Sequence, residues 1–202
     1  TYYDSDHSAD WSSLQSVSDG KPVWVTESAN LKSLDFSMDD ASDYIKWITR
    51  GFNEGGMTAY MVHLLFDKHI YATPEEGDKE GSSGLVVWDN EENIIIPKRY
   101  YAFKHFSTLS GKGFIRVSHT HFESDLYVTT FLNSNENQLV THIFNSVNQS
   151  IPMTVEIPYN TSDIFRYTTD SSLDFNKTEN NVIDDHRYIE TDLSPMSISS
   201  FV

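Results

Sequence analysis

The chain has 202 residues, enough for one sizeable domain or two small ones, and its 38% hydrophobic and 13% aromatic content supports a packed core. With 14 basic residues against 30 acidic ones the formal net charge is -16, which repels nucleic acid and anionic membrane surfaces and argues against polyphosphate partners. There is no cysteine, so disulfide and thiolate chemistry are excluded, and no apolar run nears the roughly 18 residues that membrane insertion needs.

Residues 1–10 read as the exit of an earlier strand, because Tyr2 and Tyr3 run at once into a polar, acidic loop. This start has neither a basic n-region nor an apolar h-region. Residues 10–17 have the spacing of a short helix, with Trp11 and Leu14 on one face. The stretch K-P-V-W-V-T-E-S, Lys21 to Ser28, is β-branched and aromatic after Gly-Lys-Pro punctuation, and predicts a short buried strand ending on Glu27. In an α/β barrel such a terminal carboxylate faces the mouth where the chemistry is kept; in an arbitrary strand it simply enters solvent.

Ser37 followed by Asp40 has the form of a capping box, and Ala41, Tyr44, Ile45 and Ile48 continue at helical spacing until the glycines at 51, 55 and 56. Met57 to Phe66 is an apolar run of strand length, so strand, helix and strand make a parallel α/β unit. Residues 67–83 read as a long polar loop. Two short apolar stretches around an acidic turn follow over 84–96, then a helix over 97–109 with Pro97 in its first turn. From Phe114 onward, strand-like runs recur about every ten residues, at 114–117, 126–132, 138–145, 151–157, 164–168, 188–193 and 197–202, which predicts an antiparallel sandwich. The fold class is therefore α/β plus all-β, with a first part over 1–110 and a β-sandwich over 111–202. Three N-glycosylation acceptor triplets begin at Asn148, Asn160 and Asn176 and point to an extracellular or cell-surface setting.

The order of these features resembles the C-terminal half of glycoside hydrolase family 30, a retaining family whose (β/α)8 barrel is fused to a β-sandwich. V-W-V-T-E, Val23 to Glu27, looks like barrel strand seven ending in the nucleophile, and M-T-A-Y-M-V, Met57 to Val62, looks like strand eight. Pro97 to Ser107, P-K-R-Y-Y-A-F-K-H-F-S, followed by Gly113 to Val117, G-F-I-R-V, is similar to the segment that closes the last helix and enters the sandwich, with Lys112 where the family usually has proline. Leu193 to Val202 is like the closing strand.

What the resemblance implies is a retaining β-glycosidase acting on a β-linked sugar, with Glu27 as nucleophile and no cofactor. Such a mechanism needs a second carboxyl group about 5 Å away, as acid and then base. In the family it lies on strand four, upstream of this chain, so the chain alone is expected to be inactive without the missing N-terminal barrel half. Asn53-Glu54 imitates the family's acid/base dipeptide but falls at the wrong end of the barrel. Tyr2 or Tyr3 matches the tyrosine beside the nucleophile, and a core or exposed tyrosine is the alternative. His63 stands near the position where the family presents a tryptophan platform, and a satisfied rim histidine is the alternative; Trp88 either lines the cleft or belongs to the core. His119 and His121 lack a third ligand at metal spacing, so no metal is expected. The reading of a different class is a non-catalytic structural or carbohydrate-binding glycoprotein derived from such a barrel.

Overall fold

The structure is a computed structural model describing residues 11–30, 35–68, 84–88, 93–121, 123–157, 164–180 and 187–202. It divides into two compact units, Thr1–Tyr100 and Tyr101–Val202.

In the first unit, α1 (Trp11–Val17) precedes β1 (Val23–Val25), which pairs in parallel with β2 (Met57–Tyr60) across the intervening helix α2 (Met38–Asn53). Strand, helix and parallel strand make one β-α-β unit. Asp39 donates its backbone N–H to Ser37 Oγ at 3.1 Å, so Ser37 caps α2. The expected reciprocal partner, Asp40, is instead turned inward and is 5% exposed, because Arg99 and Asn30 offer it stronger, charge-assisted partners. Ala41, Tyr44, Ile45, Trp47 and Ile48 form the buried stripe. The helix also runs through Gly51, a predicted stop. A Cβ on Gly55 would lie 2.9 Å from the Trp11 ring, so the chain after α2 can approach α1 only because glycine stands there.

The single strand predicted over Met57 to Phe66 is two. The Met61 and His63 N–H groups continue to bond β1 and its extension at Val25 O and Ser28 O, after which the chain changes partner: Leu85 and Val86 donate to Leu64 O and Leu65 O. β3 (Phe66–Lys68) therefore belongs to a three-stranded sheet with β4 (Val86–Trp88), to which it is parallel, and β5 (Ile94–Ile95), which is antiparallel to β4.

α3 (Lys98–Leu109) begins in the first unit and ends in the second, so the division falls inside a helix, ten residues before the boundary read from the sequence. Ala102, His105 and Phe106 are buried among the second unit's side chains, which is why this part of the helix belongs with the strands that follow. There β6 (Ile115–Val117), β7 (Leu126–Asn133), β8 (Gln138–Asn145), β10 (Ile164–Thr169), β11 (Asn176–Asn180) and β13 (Ser197–Phe201) form an antiparallel sheet in the order β11-β10-β13-β8-β7-β6. A second antiparallel pair joins β9 (Ile151–Glu156) to β12 (Tyr188–Leu193). The two sheets share a core of Leu126, Val128, Ile143, Ile164, Ile189, Leu193 and Phe201, with Ile151, Met153 and Val155 packed against it. Arg166 ties them by hydrogen bonds from β10 to Thr191 Oγ1 and Asp192 O on β12. β11 had no signal in the sequence, being a polar strand, N-K-T-E-N, with four exposed residues at a sheet edge.

A chain of buried polar groups runs through this second unit. Ser110 Oγ donates to Phe106 O, so it accepts from His142 Nε2–H at 2.8 Å. His142 Nδ1 must then accept from Ser200 Oγ at 2.6 Å, and Ser200 Oγ accepts from His105 Nδ1–H at 2.6 Å. His105 Nε2 in turn accepts from Thr169 Oγ1 at 3.0 Å, while Thr169 accepts the Phe175 N–H. Each donor is used once, and both imidazoles are neutral. Burial lowers both pKa values, that of His142 to about 3; for His105 the nearby His142 and Lys104 add to the effect.

Since the folded pKa lies below the ordinary 6.5, the unfolded chain binds more protons below that value, and stability falls as pH drops below about 6.5 by up to ~1.4 kcal/mol per unit per histidine. Amide protection in β13, corrected for intrinsic exchange, should decrease roughly ten- to thirtyfold from pH 6.5 to 5.5. His142→Gln should make that decrease about half as steep on a logarithmic scale; an equal slope in the two proteins contradicts the neutral-histidine account.

Candidate active site

β1 and β2 are parallel, so their C-terminal ends open on the same side, and the two residues of interest follow those ends. Glu27 lies two residues beyond β1 and His63 three beyond β2. His63 Nε2 is 3.7 Å from Glu27 Oε1, with the imidazole side chain 50% and the carboxylate 31% exposed. The structure thus brings together two of the residues singled out from the sequence.

The segment that carries Glu27 is fixed from behind. Ser28, Ala29 and Asn30 are all buried. Ser28 Oγ is 2.6 Å from Tyr60 Oη on β2, and its carbonyl accepts the His63 N–H at 2.8 Å. Asn30 donates its backbone N–H to Tyr44 Oη at 3.0 Å and its side-chain amide to Asp40 Oδ1 at 2.9 Å and Asp43 Oδ2 at 3.3 Å. Arg99 completes the cluster, donating from Nη1 to Asp40 Oδ2 at 2.9 Å and from Nε to Gly84 O at 2.8 Å. The pair is cut off from water, at 0% and 2% side-chain exposure. Burial raises the Asp40 carboxyl to about 6, with Arg99 opposing and Asp35 adding to the rise. Burial also pushes the Tyr44 phenol up to about 12, against the Asn30 N–H bond that favours the phenolate. Neither Asn30 nor Arg99 stood out in the sequence, since nothing in their spacing announces a partner; the Asp40–Arg99 pair is 59 positions apart.

Trp88 is half-buried on β4 and packs on Phe66, with ring centroids 4.8 Å apart. Tyr2 and Tyr3 lie outside the described residues. Asn148 and Asn176 are exposed, and Asn160 lies outside the described residues. Glu54, of the rejected Asn53-Glu54 dipeptide, pairs with Arg50 one turn earlier at 3.0 Å. His119 and His121 stack at 5.4 Å, and among the described residues no group of three His, Cys, Asp or Glu side chains could hold a metal ion. A cavity of about 690 Å³ in the second unit is lined by Leu132, Leu139, Val155, Ile164 and Phe201 beside Glu136 and Glu156. Glu156 there is engaged by Arg187, and Glu27 is not part of that cavity.

Solved structures give the fold its place. A glycoside hydrolase family 30 subfamily 8 xylanase from Clostridium acetobutylicum superposes with a TM-score of 0.71 at 22% identity over 90% of this chain. The fold is that of family 30. A family 30 endoxylanase from Clostridium papyrosolvens gives 0.68 at 21% identity over 93% of the chain, and the catalytic domain of family 30 xylanase C from Talaromyces cellulolyticus gives 0.74 at 19% over 90%. The chain spans only 42%, 43% and 40% of those three chains, in keeping with a C-terminal portion of the family 30 fold. No family model matches the sequence, and no curated protein matches it by sequence.

Tyr60→Phe should destabilise the first unit by about 1–2 kcal/mol, because it leaves the fully buried Ser28 hydroxyl without its partner. Arg99→Met should cost about 3–5 kcal/mol by stranding Asp40, and adding Asp40→Leu should recover most of that loss. Denaturant unfolding followed by tryptophan fluorescence measures both, since all four tryptophans lie in the first unit.

Proposed function

We propose that this chain is part of a retaining β-glycoside hydrolase in which Glu27 is the nucleophile and the acid/base is carried by polypeptide outside the chain. The observation that carries the reading is the position of Glu27: a partly exposed carboxylate just beyond a parallel strand, backed by three buried residues, within 4 Å of His63, three residues beyond the neighbouring strand. Attack on an anomeric carbon needs an ionised carboxylate held at a fixed point, and strand ends hold side chains more rigidly than free loops.

Completion by the rest of a barrel fits the surface of this unit. Among the described residues β1 pairs on one side only, and Trp24 in its middle is 60% exposed. Such an edge calls for a neighbouring strand, and the chain covers about two fifths of the family 30 structures it matches. The remaining barrel strands are the partner that fits, and they would also supply the opposite wall of a cleft over Glu27. The three family 30 structures described above are xylanases, which makes xylan the first substrate to try. The exposed acceptor residues Asn148 and Asn176 fit a secreted or cell-surface glycoprotein.

His63 favours a second reading. An imidazole offers less apolar area to a sugar ring than an indole does, and at 3.7 Å it can engage Glu27 itself, as a non-catalytic carbohydrate-binding descendant of such a barrel would allow. The two readings separate when the complete protein is incubated with a mechanism-based fluoro-glycoside and digested. The label is expected on the peptide containing Glu27, and Glu27→Gln should abolish it and lower kcat about a thousandfold or more. A folded wild-type protein that takes no label supports the binder.

A further inference from the structure

Asn30, three residues after Glu27, stands out for the number of groups that fix it. The Asn30 side-chain amide reaches Asp40 and Asp43 while its backbone N–H is held by Tyr44 Oη, all three from α2. Asp40 is the hinge of this arrangement, because one of its oxygens receives Asn30 and the other receives Arg99, which also binds Gly84 O ahead of β4. A Cβ on Gly84 would lie 2.6 Å from Asp67 Cβ, so that carbonyl sits where only glycine fits. One buried carboxylate therefore connects the turn behind Glu27 to α2, α3 and the segment before β4.

We propose that Asp40, acting through Asn30, is a positioning residue for Glu27, and that loss of its negative charge loosens the turn that aims the nucleophile. The inference rests on the reading of Glu27 given above. A carboxylate accepts charge-assisted bonds about twice as strong as those of a neutral carboxyl group, so protonation weakens both the Asn30 and the Arg99 contacts together. The charged and titratable groups facing Asp40 are Arg99 from α3, Asp35 ahead of α2, and Asp43 and Tyr44 on α2 itself. With a midpoint of about 6, its charge changes inside the pH interval of the test below.

The effect on overall stability has the opposite sign. Because the folded pKa is raised above 3.8, the folded state binds this proton more tightly than the unfolded chain, so through this group stability increases as pH falls from about 6 toward 4. Order at the turn decreases over the same interval. A residue with a merely structural role would move both together.

The test follows the rate of fluoro-glycoside labelling in the complete protein between pH 4.5 and 7.5, with amide exchange at Ala29 and Asn30. Wild type should show an acid limb centred near pH 6, and Asn30 protection should fall about tenfold below it. In Asp40→Asn the limb should flatten, with the rate at pH 7 lowered about 10- to 100-fold and the apparent affinity for the reagent unchanged within twofold. Asn30→Ala, which leaves the Asp40–Arg99 pair in place and so keeps the fold, should show the same flattened limb. An acid limb that survives in both variants, with Asn30 protection independent of pH, overturns the proposal while leaving the nucleophile reading intact. A wild-type protein that takes no label overturns the nucleophile reading and this one with it.

Discussion

The first unit depends on an ion pair taken wholly out of water. Arg99 and Asp40 meet at 2.9 Å with side chains 0% and 2% exposed, and desolvating two such charges costs several kcal/mol each before their attraction returns anything. The pair is therefore poor evidence for stability in itself, and its value lies in direction. Each member has hydrogen-bonding capacity left over after meeting the other, and it is spent on Asn30 and on Gly84 O. A pair of leucines would fill the same volume but could not specify which turn lies against which helix. Four pieces of chain far apart in sequence, the turn after β1, the first turn of α2, the entry to β4 and the first turn of α3, are thus set by one polar contact.

The second unit meets the same difficulty without charge. His105 and His142 are buried completely, and an imidazolium there would need a counter-ion that none of the described contacts provides. The chain from Ser110 to the Phe175 N–H solves this by giving every ring nitrogen one partner and every hydroxyl one direction. Fixing one proton, that of Ser110, fixes all the rest. Such a string orients α3 on the sheet more narrowly than apolar contacts at Ala102 and Phe106 could, and its weakness is acid, where a second proton on either ring leaves two donors facing each other.

These two clusters also explain where the sequence could be read and where it could not. Periodicity and punctuation depend on neighbours along the chain, so α2, β8 and β12 were legible to within a residue or two from apolar spacing alone. β11 was not, because its strand character comes from pairing with β10 at an exposed edge and leaves no apolar signature. The break in the Met57–Phe66 run was hidden for a related reason: every residue in it suits a strand, and only the change of partner from β1 to β4 ends one strand and starts another. Of the candidate site, His63 stood out only through the family resemblance, since it lies inside the Met57–Phe66 run, and Glu27 was legible because it closes a strand-like run. Asn30, Asp40 and Arg99 were not, since the contacts that give them a role are made across the fold.

His63 sets the surroundings of the Glu27 carboxylate. An apolar neighbour would keep water from a carboxylate and offer it no polar contact. The half-exposed imidazole 3.7 Å away instead sets a polar ring beside a carboxylate that is itself 31% exposed. The backbone behind it is nonetheless held, with the His63 N–H on Ser28 O and Ser28 Oγ on Tyr60 Oη. Scaffold and side chain thus carry different information. Buried polar clamps are costly to leave unmet, so this strand end tolerates little change, whereas an exposed side chain can differ without disturbing them. The geometry therefore separates a framework set by buried contacts from an exposed side chain whose identity the fold does not dictate.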